Sequence, residues 1–317
     1  MIPLICTQYF DPHADAVADE LKTLGVNPFV LKRYEENTYF TACFNNKKHA
    51  VWICSEDQKV FLDNIGSIFW RVKPALSSEI PGEKTSVGDV FRSKEWGQTI
   101  EAIELLTADV VSINSGESRR KLRMKLYQKK LSLSCGLEIP ETIISNSSDD
   151  LVKNFQTEDL VYKTLSSFFT NNGVIYTNKI TKNDIQENSK SVFLAPGIFQ
   201  AFIKKKHELR ITIVGEKVFV AKIDSNRSIK TKIDWRYNQS ESMFEPGELS
   251  SETQTNLLCF HKKAGLLYAT YDFIVDVEGR EIFLECNPGG QWLFLGDYLG
   301  SQITKEIAEY LLVCCKH

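Results

Sequence analysis

Tyr271-Asp272-Phe273-Ile274-Val275-Asp276 and, after the turn Val277-Glu278-Gly279-Arg280-Glu281, Ile282-Phe283-Leu284-Glu285-Cys286-Asn287-Pro288-Gly289-Gly290 read as two strands joined by a tight turn. Residues two apart on a strand face the same side, so Glu285 and Asn287 point together while Leu284 and Cys286 point to the other face. With Asp272 on the partner strand, three oxygen donors gather at one end of the hairpin. Hard oxygen donors that leave the coordination incomplete suit Mg²⁺ shared with nucleotide phosphates, and point toward an ATP-dependent enzyme. The same spacing suits an ordinary hairpin with solvated acids and an Asn-Pro-Gly-Gly strand end. Two details favour the metal. Glu285 interrupts an apolar run, where a buried carboxylate needs a partner or a cation, and Gly289-Gly290 lets backbone approach a ligand closely.

Composition sets the frame for that hairpin. The chain has 317 residues, 43% hydrophobic and 25% charged, enough for a substantial core and for two or three subdomains. Its formal net charge of −3 gives no support for a nucleic-acid binder held by phosphate neutralisation. Cysteines stand at 6, 43, 54, 135, 259, 286, 314 and 315, with no C-x-x-C pair and no His at metal-ligand spacing, so neither a zinc site nor a disulfide framework is expected. The chain opens on what looks like a first strand, without the marks of a signal peptide. No apolar run approaches the roughly 20 residues that cross a bilayer. A cytoplasmic protein is the expectation.

Along the chain, Met1-Ile2-Pro3-Leu4-Ile5-Cys6 reads as a strand, Asp11-Pro12 as the start of a helix that Gly25 closes, and Val26 to Leu31 as a second strand. Strands follow at Val51–Cys54, Lys59–Leu62 and Ser67–Arg71, then a helix over Asp89–Leu106. A basic helix spans Ser118 to Ser134 and stops at Gly136; its charges suit phosphate, RNA or plain solvent. Lys163 interrupts the strand Leu160–Leu165, where it either snorkels or meets an anion. Phe193 to Ile203 reads as a strand pair. Leu209–Val214 and Val218–Asp224 form a hairpin turning at Gly215-Glu216, on which Arg210, Lys222 and Asp224 are expected to share one face. Ile223 to Pro246 is polar, contains Asp234-Trp235-Arg236 and reads as a mobile loop of the kind that acts as a lid. Glu252 to Ala269 reads as a helix.

Four pieces carry a family likeness: Lys125-Leu126-Tyr127-Gln128 with Gly136 to Asn146; Ile175-Tyr176-Thr177-Asn178; Glu208-Leu209-Arg210 with Ala221 to Ser225 and Asp234-Trp235-Arg236; and Leu284 to Trp292. In this order, over essentially the whole chain, they resemble the ATP-grasp superfamily, and within it the microviridin-type peptide ligases, or graspetide synthetases. The resemblance implies an α+β ATP-grasp fold with an N-terminal α/β pre-ATP-grasp domain over 1–112, a central subdomain over 113–196 and a C-terminal subdomain with the metal site over 197–317. It implies ATP and Mg²⁺ as cofactors, a ribosomal precursor peptide with its leader segment as partner, and a homodimer.

By that resemblance Lys125 and Lys163 would contact the phosphates and the base, and Gln200, Ala201, Phe202 and Ile203 would form the hinge that receives adenine. Glu208 would also belong to the nucleotide site. Arg210 would stabilise the transferred phosphoryl group, Asp272, Glu285 and Asn287 would hold Mg²⁺, and Lys222, Asp224 and Arg236 would lie near the acceptor carboxylate or acyl phosphate. Ile175 to Asp184 would receive the leader. The implied reaction activates Asp or Glu side chains of the precursor as acyl phosphates and joins them to Ser or Thr hydroxyls or Lys amines. An amino-acid or peptide ligase similar to glutathione synthetases or ribosomal-protein glutamyl ligases, and a non-catalytic nucleotide-binding regulator, fit the same superfamily. Cys286 stands where an aliphatic residue is usual.

Overall fold

A computed structural model describes residues 1–8, 10–33, 35, 37–55, 58–71, 86–166, 169–170, 173–174, 177–224 and 244–315. The chain starts as strand β1 (Ile2–Gln8), helix α1 (Pro12–Thr23), β2 (Phe29–Arg33), β3 (Thr38–Asn45), β4 (Lys48–Ser55), β5 (Gln58–Phe61), β6 (Ile65–Trp70), α2 (Val87–Leu106) and β7 (Val111–Ile113). Asp11 caps α1 by accepting from the His13 N–H, with Pro12 pre-set for the first turn. β2, β1, β6 and β7 form a parallel sheet in that order. Every residue of β6 is buried, as expected of a sheet covered on both faces. On one face Leu4, Cys6, Ile68 and Trp70 pack with Ile53 of β4 and Ile100 and Ile103 of α2. On the other, Ile5 and Phe69 meet Val17 and Leu21 of α1 together with Ile303, Ile307 and Leu311, which come from the last helix of the chain.

The expected basic helix is two helices, α3 (Gly116–Arg123) and α4 (Lys125–Ser134), because Met124 between them is extended at φ −82°, ψ 105°. No Gly or Pro stands there; tertiary contacts make the break. Leu122 is fully buried, and its carbonyl, orphaned at the end of α3, is taken by the Gln128 side chain at 2.5 Å. Gly136 ends α4 as its sequence suggests. It lies at φ +77°, with its own N–H on Leu133 O and the Leu137 N–H on Ser132 O, the paired bonds of a Schellman cap.

Next come β8 (Thr142–Ser145), α5 (Ser148–Asn154), β9 (Asp159–Lys163), the short pair β10 (Phe169–Thr170) and β11 (Gly173–Val174), β12 (Asn178–Thr181), α6 (Lys182–Glu187), α7 (Ser189–Phe193) and β13 (Gly197–Ala201). Phe193–Ile203 is thus one strand preceded by a helix rather than a strand pair. The strand begins at Gly197, where a Cβ would lie 2.3 Å from the Tyr162 ring. β12, β9, β13 and β8 make an antiparallel sheet. One of its faces, with Leu160, Tyr162 and Phe199, packs on Leu151, Phe155 and Ile185 of the helices.

The rest is β14 (Lys205–Val214), β15 (Lys217–Ile223), β16 (Phe244–Pro246), α8 (Ser251–Lys263), β17 (Tyr268–Asp276), β18 (Glu281–Asn287) and α9 (Gly296–Cys315). The sheet runs β16-β15-β14-β17-β18, all antiparallel. Phe244–Pro246, expected within a loop, pairs with Ala221–Ile223, while 225–243, including the expected lid and Arg236, lies outside the described residues. Leu209, Ile211, Tyr271, Phe273, Phe283 and Cys286 pack against Leu257 and Phe260 of α8. The opposite face carries the polar residues described below. Ile307 of α9 is fully buried where the C-terminal helix covers the N-terminal sheet. Ile307→Ala is therefore expected to cost about 2–5 kcal/mol of unfolding free energy, read from the urea midpoint.

Candidate active site

Arg210, Asp272 and Glu285 stand opposite one another on β14, β17 and β18, so a single row of the C-terminal sheet carries all three on one face. The next row is Thr212, Thr270 and Asn287. Arg210 Nη1 donates to Asp272 Oδ1 at 2.7 Å and Nη2 to the Gln291 carbonyl at 3.2 Å, while its Nε is buried without a partner. The strict alternation expected of β18 breaks at one place. Asp272 pairs with Glu285 but Phe273 with Phe283, which leaves Leu284 as the extra residue of a bulge. Glu285 and Asn287 still share a face, Cys286 still turns into the core, and Phe283 joins it there.

Helix α4 brings its lysines to this row. Lys125 Nζ donates to Glu285 Oε2 at 2.5 Å. Burial alone would push Lys125 down, but the Glu285 carboxylate outweighs it and holds the ammonium above the ordinary lysine range. Lys129 donates to the Leu284 carbonyl at 2.7 Å. Burial, reinforced by the charge of Lys163, pulls Lys129 down to about 7. Lys129 is a site residue that sequence reading passed over, since a lysine in a basic helix reads as a solvated charge. The Lys125-to-Lys129 interval of one helical turn, repeated on one face, is the signal that could have found it.

Lys163 and Gln200 belong to the central sheet. Cross-strand register places Lys163 opposite Ile198 and Gln200 opposite Val161, so both lie on the face turned away from the helices. Gln200 is buried and donates to Thr142 Oγ1 at 2.9 Å. Beyond it, the Ala201 N–H bonds to Glu141 O and the Phe202 N–H to Asp159 O. Ile203 leads into β14, where the buried Glu208 receives a hydrogen bond from Lys205 at 2.5 Å. Glu208 shares its sheet face with Arg210.

Two of the expected neighbours of Arg210 lie elsewhere. The hairpin turns through two residues, pairing Val214 with Lys217, and this register sets Arg210 opposite Ala221 and Lys222 opposite Leu209. Lys222 therefore faces away from Arg210, and its Nζ pairs with Glu245 of β16 at 2.7 Å. Asp224 follows with the same parity, beyond the end of β15. The shared face of Arg210, Lys222 and Asp224 is corrected accordingly. Arg236 lies outside the described residues.

After Asn287 the chain leaves the sheet through Pro288–Gln291, and side chains from distant parts of the fold hold its carbonyls. Asn114 Nδ2 donates to Pro288 O at 2.9 Å, Arg71 Nη1 to Gly289 O at 3.1 Å and Gly290 O at 3.0 Å, and the Tyr268 hydroxyl to Gly290 O at 2.8 Å. Gly290 has no room for a side chain, since a Cβ would fall 1.8 Å from Thr270 Oγ1. Arg71 is itself buried against Asp11, with Nε on Oδ2 at 3.0 Å and Nη2 on Oδ1 at 3.2 Å. Burial pushes the Asp11 carboxyl up, but the charge and hydrogen bonds of Arg71 prevail and hold it below the usual carboxylate range.

The arrangement presents two carboxylates and an amide oxygen on one sheet face, flanked by Arg210, Lys125 and Lys129. Among the described residues no group of three or more His, Cys, Asp or Glu side chains forms a metal cage. An oxygen set of this kind suits a cation that arrives with phosphate oxygens to complete its shell.

Over nearly its full length the chain is similar to a solved macrocyclase and to solved ATP-grasp ligases. Macrocyclase MdnC from Microcystis aeruginosa MRC, bound with precursor peptide MdnA, is 27% identical at a TM-score of 0.81, covering 99% of this chain and 100% of that one. A RiPP-associated ATP-grasp ligase of Chryseobacterium gregarium, in complex with ADP and a leader and core peptide, is 24% identical at 0.82, over 99% and 97%. ATP-grasp ligase PsnB, complexed with a phosphomimetic variant of its minimal precursor, Mg and ADP, is 17% identical at 0.75, over 98% of each chain. No family model and no curated protein matches the chain. The chain thus has the α+β ATP-grasp fold with an N-terminal α/β domain.

Breaking the buried Asp11–Arg71 pair by Arg71→Met is expected to cost about 3–5 kcal/mol, because it leaves the Asp11 charge without its cation and Gly289 O without its donor, while Gly290 O keeps Tyr268. The pH dependence has a definite sign. A carboxyl depressed in the folded state stabilises fully above its unfolded value and loses that contribution as pH falls through the folded one. Urea midpoints should therefore fall on acidification below the ordinary carboxylate range, and Asp11→Asn should flatten that limb.

Proposed function

We propose that the chain is an ATP- and Mg²⁺-dependent ligase of the graspetide class, joining Asp or Glu side chains of a ribosomal precursor peptide to Ser or Thr hydroxyls or Lys amines as macrocycles. The observation that carries this reading is the full-length likeness, at 27% identity, to a macrocyclase bound with its precursor peptide. A division into an N-terminal domain (1–112), a central subdomain (113–196) and a C-terminal subdomain (197–317) accords with the three principal sheets.

The chemistry asks for what this cleft offers. A carboxylate is a poor electrophile, so its oxygen attacks the γ-phosphorus of ATP and the bond to ADP breaks, leaving an acyl phosphate. The hydroxyl or amine then attacks the acyl carbon, phosphate departs, and the nucleophile's proton leaves to solvent or phosphate. Mg²⁺, when bound, would neutralise charge on the phosphate oxygens. Asp272, Glu285 and Asn287 fit it as an all-oxygen set, and the charges now resting on the two carboxylates are those of Arg210 and Lys125. Both cations would shift to phosphate when the carboxylates turn to the metal, so the site stays electrically balanced. Lys129 and Lys163, close enough to feel each other's charge, add positive potential for the same polyphosphate. With the N–H groups of Ala201 and Phe202 already bonded within the protein, a base in the hinge would meet carbonyls and the Ile203 N–H.

The partner peptide's leader would bind near β12 and α6, the described part of 175–184. A homodimer belongs to the same reading, supported by Val87, Phe91 and Leu105, which lie on one stripe of α2 and are exposed. So does a cytoplasmic location, supported by eight free cysteines.

Incubation with a candidate precursor, ATP and Mg²⁺ should remove the mass of one water per bond formed. ADP release with free amino acids but with no peptide would overturn the reading. Glu285→Ala and Arg210→Ala should each lower peptide-dependent ADP release by about 10²-fold or more. Light scattering should give twice the chain mass, reduced to one by Phe91→Asp.

A further inference from the structure

Among the described residues β18 is an edge strand, with no sixth strand beyond it. An edge leaves peptide groups without ladder partners, yet at Phe283, Leu284 and Cys286 its outer side is bonded. Phe283 N–H reaches Glu138 O at 2.8 Å and Leu284 O receives Lys129. At Cys286 the partner is a side chain acting as a peptide. Gln128 Oε1 accepts from Cys286 N–H at 2.9 Å, and its Nε2 donates to Cys286 O at 2.8 Å and to Leu122 O at 2.5 Å. Gln128 is 1% exposed. Its amide orientation is forced, since the flipped form would set an NH₂ against an N–H and an oxygen against two carbonyls.

Cys286 is the residue between Glu285 and Asn287. Fixing both its N–H and its C=O fixes the peptide planes from which those two side chains depart. We propose that Gln128 is a positioning residue that substitutes for a missing strand, locking β18 so that Glu285 and Asn287 present their oxygens to one cation together. The break at Met124 serves the same end, because it lets one amide tie the last turn of α3 to β18. Lys129, one residue on, secures the carbonyl that the bulge at Leu284 displaces. This inference rests on the metal reading of Asp272, Glu285 and Asn287 given above.

Gln128→Met keeps the length of the side chain and removes all three hydrogen bonds. In the full chain, Mn²⁺ affinity in the presence of ADP, read by electron paramagnetic resonance of free Mn²⁺, should weaken about 10-fold or more, the range typical of outer-shell partners. ADP affinity without metal should stay within about twofold, a split that general loss of structure would not produce. Hydrogen exchange over 281–287 should quicken while β14 is unchanged. Should Gln128→Met fail to fold, Gln128→Glu carries the same comparison, because it keeps the acceptor for Cys286 N–H but turns an oxygen toward two carbonyls. Wild-type Mn²⁺ binding with an unaltered variant overturns the positioning role alone. Absence of Mn²⁺ binding in the wild type overturns the metal reading and this inference with it.

Discussion

Four successive carbonyls, from Pro288 to Gln291, turn into the protein immediately after Asn287, and the fold is arranged so that each finds a donor. Asn114 takes the first, Arg71 the second and third, Tyr268 also the third, and Arg210 the fourth. The bonds on Gly290 O are buried, and a buried carbonyl without a partner costs on the order of 1–3 kcal/mol, so the path of the loop is pinned there. The donors come from the end of β6, from the connection after β7, and from two strands of the C-terminal sheet. Asn287, at the head of the loop, is thereby located by the N-terminal domain as much as by its own hairpin. Asp11, which orients Arg71, also caps α1, so one carboxylate links helix start, sheet end and site.

Charge balance explains how two carboxylates tolerate each other across β17 and β18. Asp272 and Glu285 are directly opposed, a position where like charges destabilise. Each has a cation at 2.5–2.7 Å, Arg210 for the first and Lys125 for the second. The row is neutral as a whole. On the proposed reading, a divalent cation entering with a polyanion would keep these charges paired, because the displaced ammonium and guanidinium groups would find phosphate charge to meet. Lys129 is depressed first by burial and then by the charge of Lys163, so two cationic side chains stand near one another beside the carboxylates.

How far this was legible in the sequence depends on which periodicity carried the information. Period-two alternation gave the common face of Glu285 and Asn287, and the hairpin brought Asp272 to them. The same rule, applied across β14 and β15, misplaced Lys222. A two-residue turn pairs Val214 with Lys217, so even positions on one strand share a face with odd positions on the other. The turn length, at Gly215-Glu216, carried that answer. Met124 offered no such signal: its extended backbone follows from Leu122 and Gln128 reaching partners more than 100 residues away in sequence for the latter, at Cys286. Gln128 and Lys129 stayed hidden for the same reason, since nothing local separates a polar residue that solvates a helix from one that replaces a strand.

The bulge at Leu284 resolves a conflict inherent in that stretch. Phe283 and Cys286 both belong to the core against α8, whereas Glu285 must face the cleft. Strict alternation would put Phe283 on the side of Glu285, exposing an aromatic ring beside the carboxylates and removing its edge contact with Phe273 and its tilted contact with Phe260. One extra residue shifts the parity between Phe283 and Glu285, and both demands are met. The cost is a carbonyl at Leu284 out of step with the ladder, and Lys129 supplies the donor for it. Placement of the acid, burial of the ring and the broken helix are therefore parts of one solution.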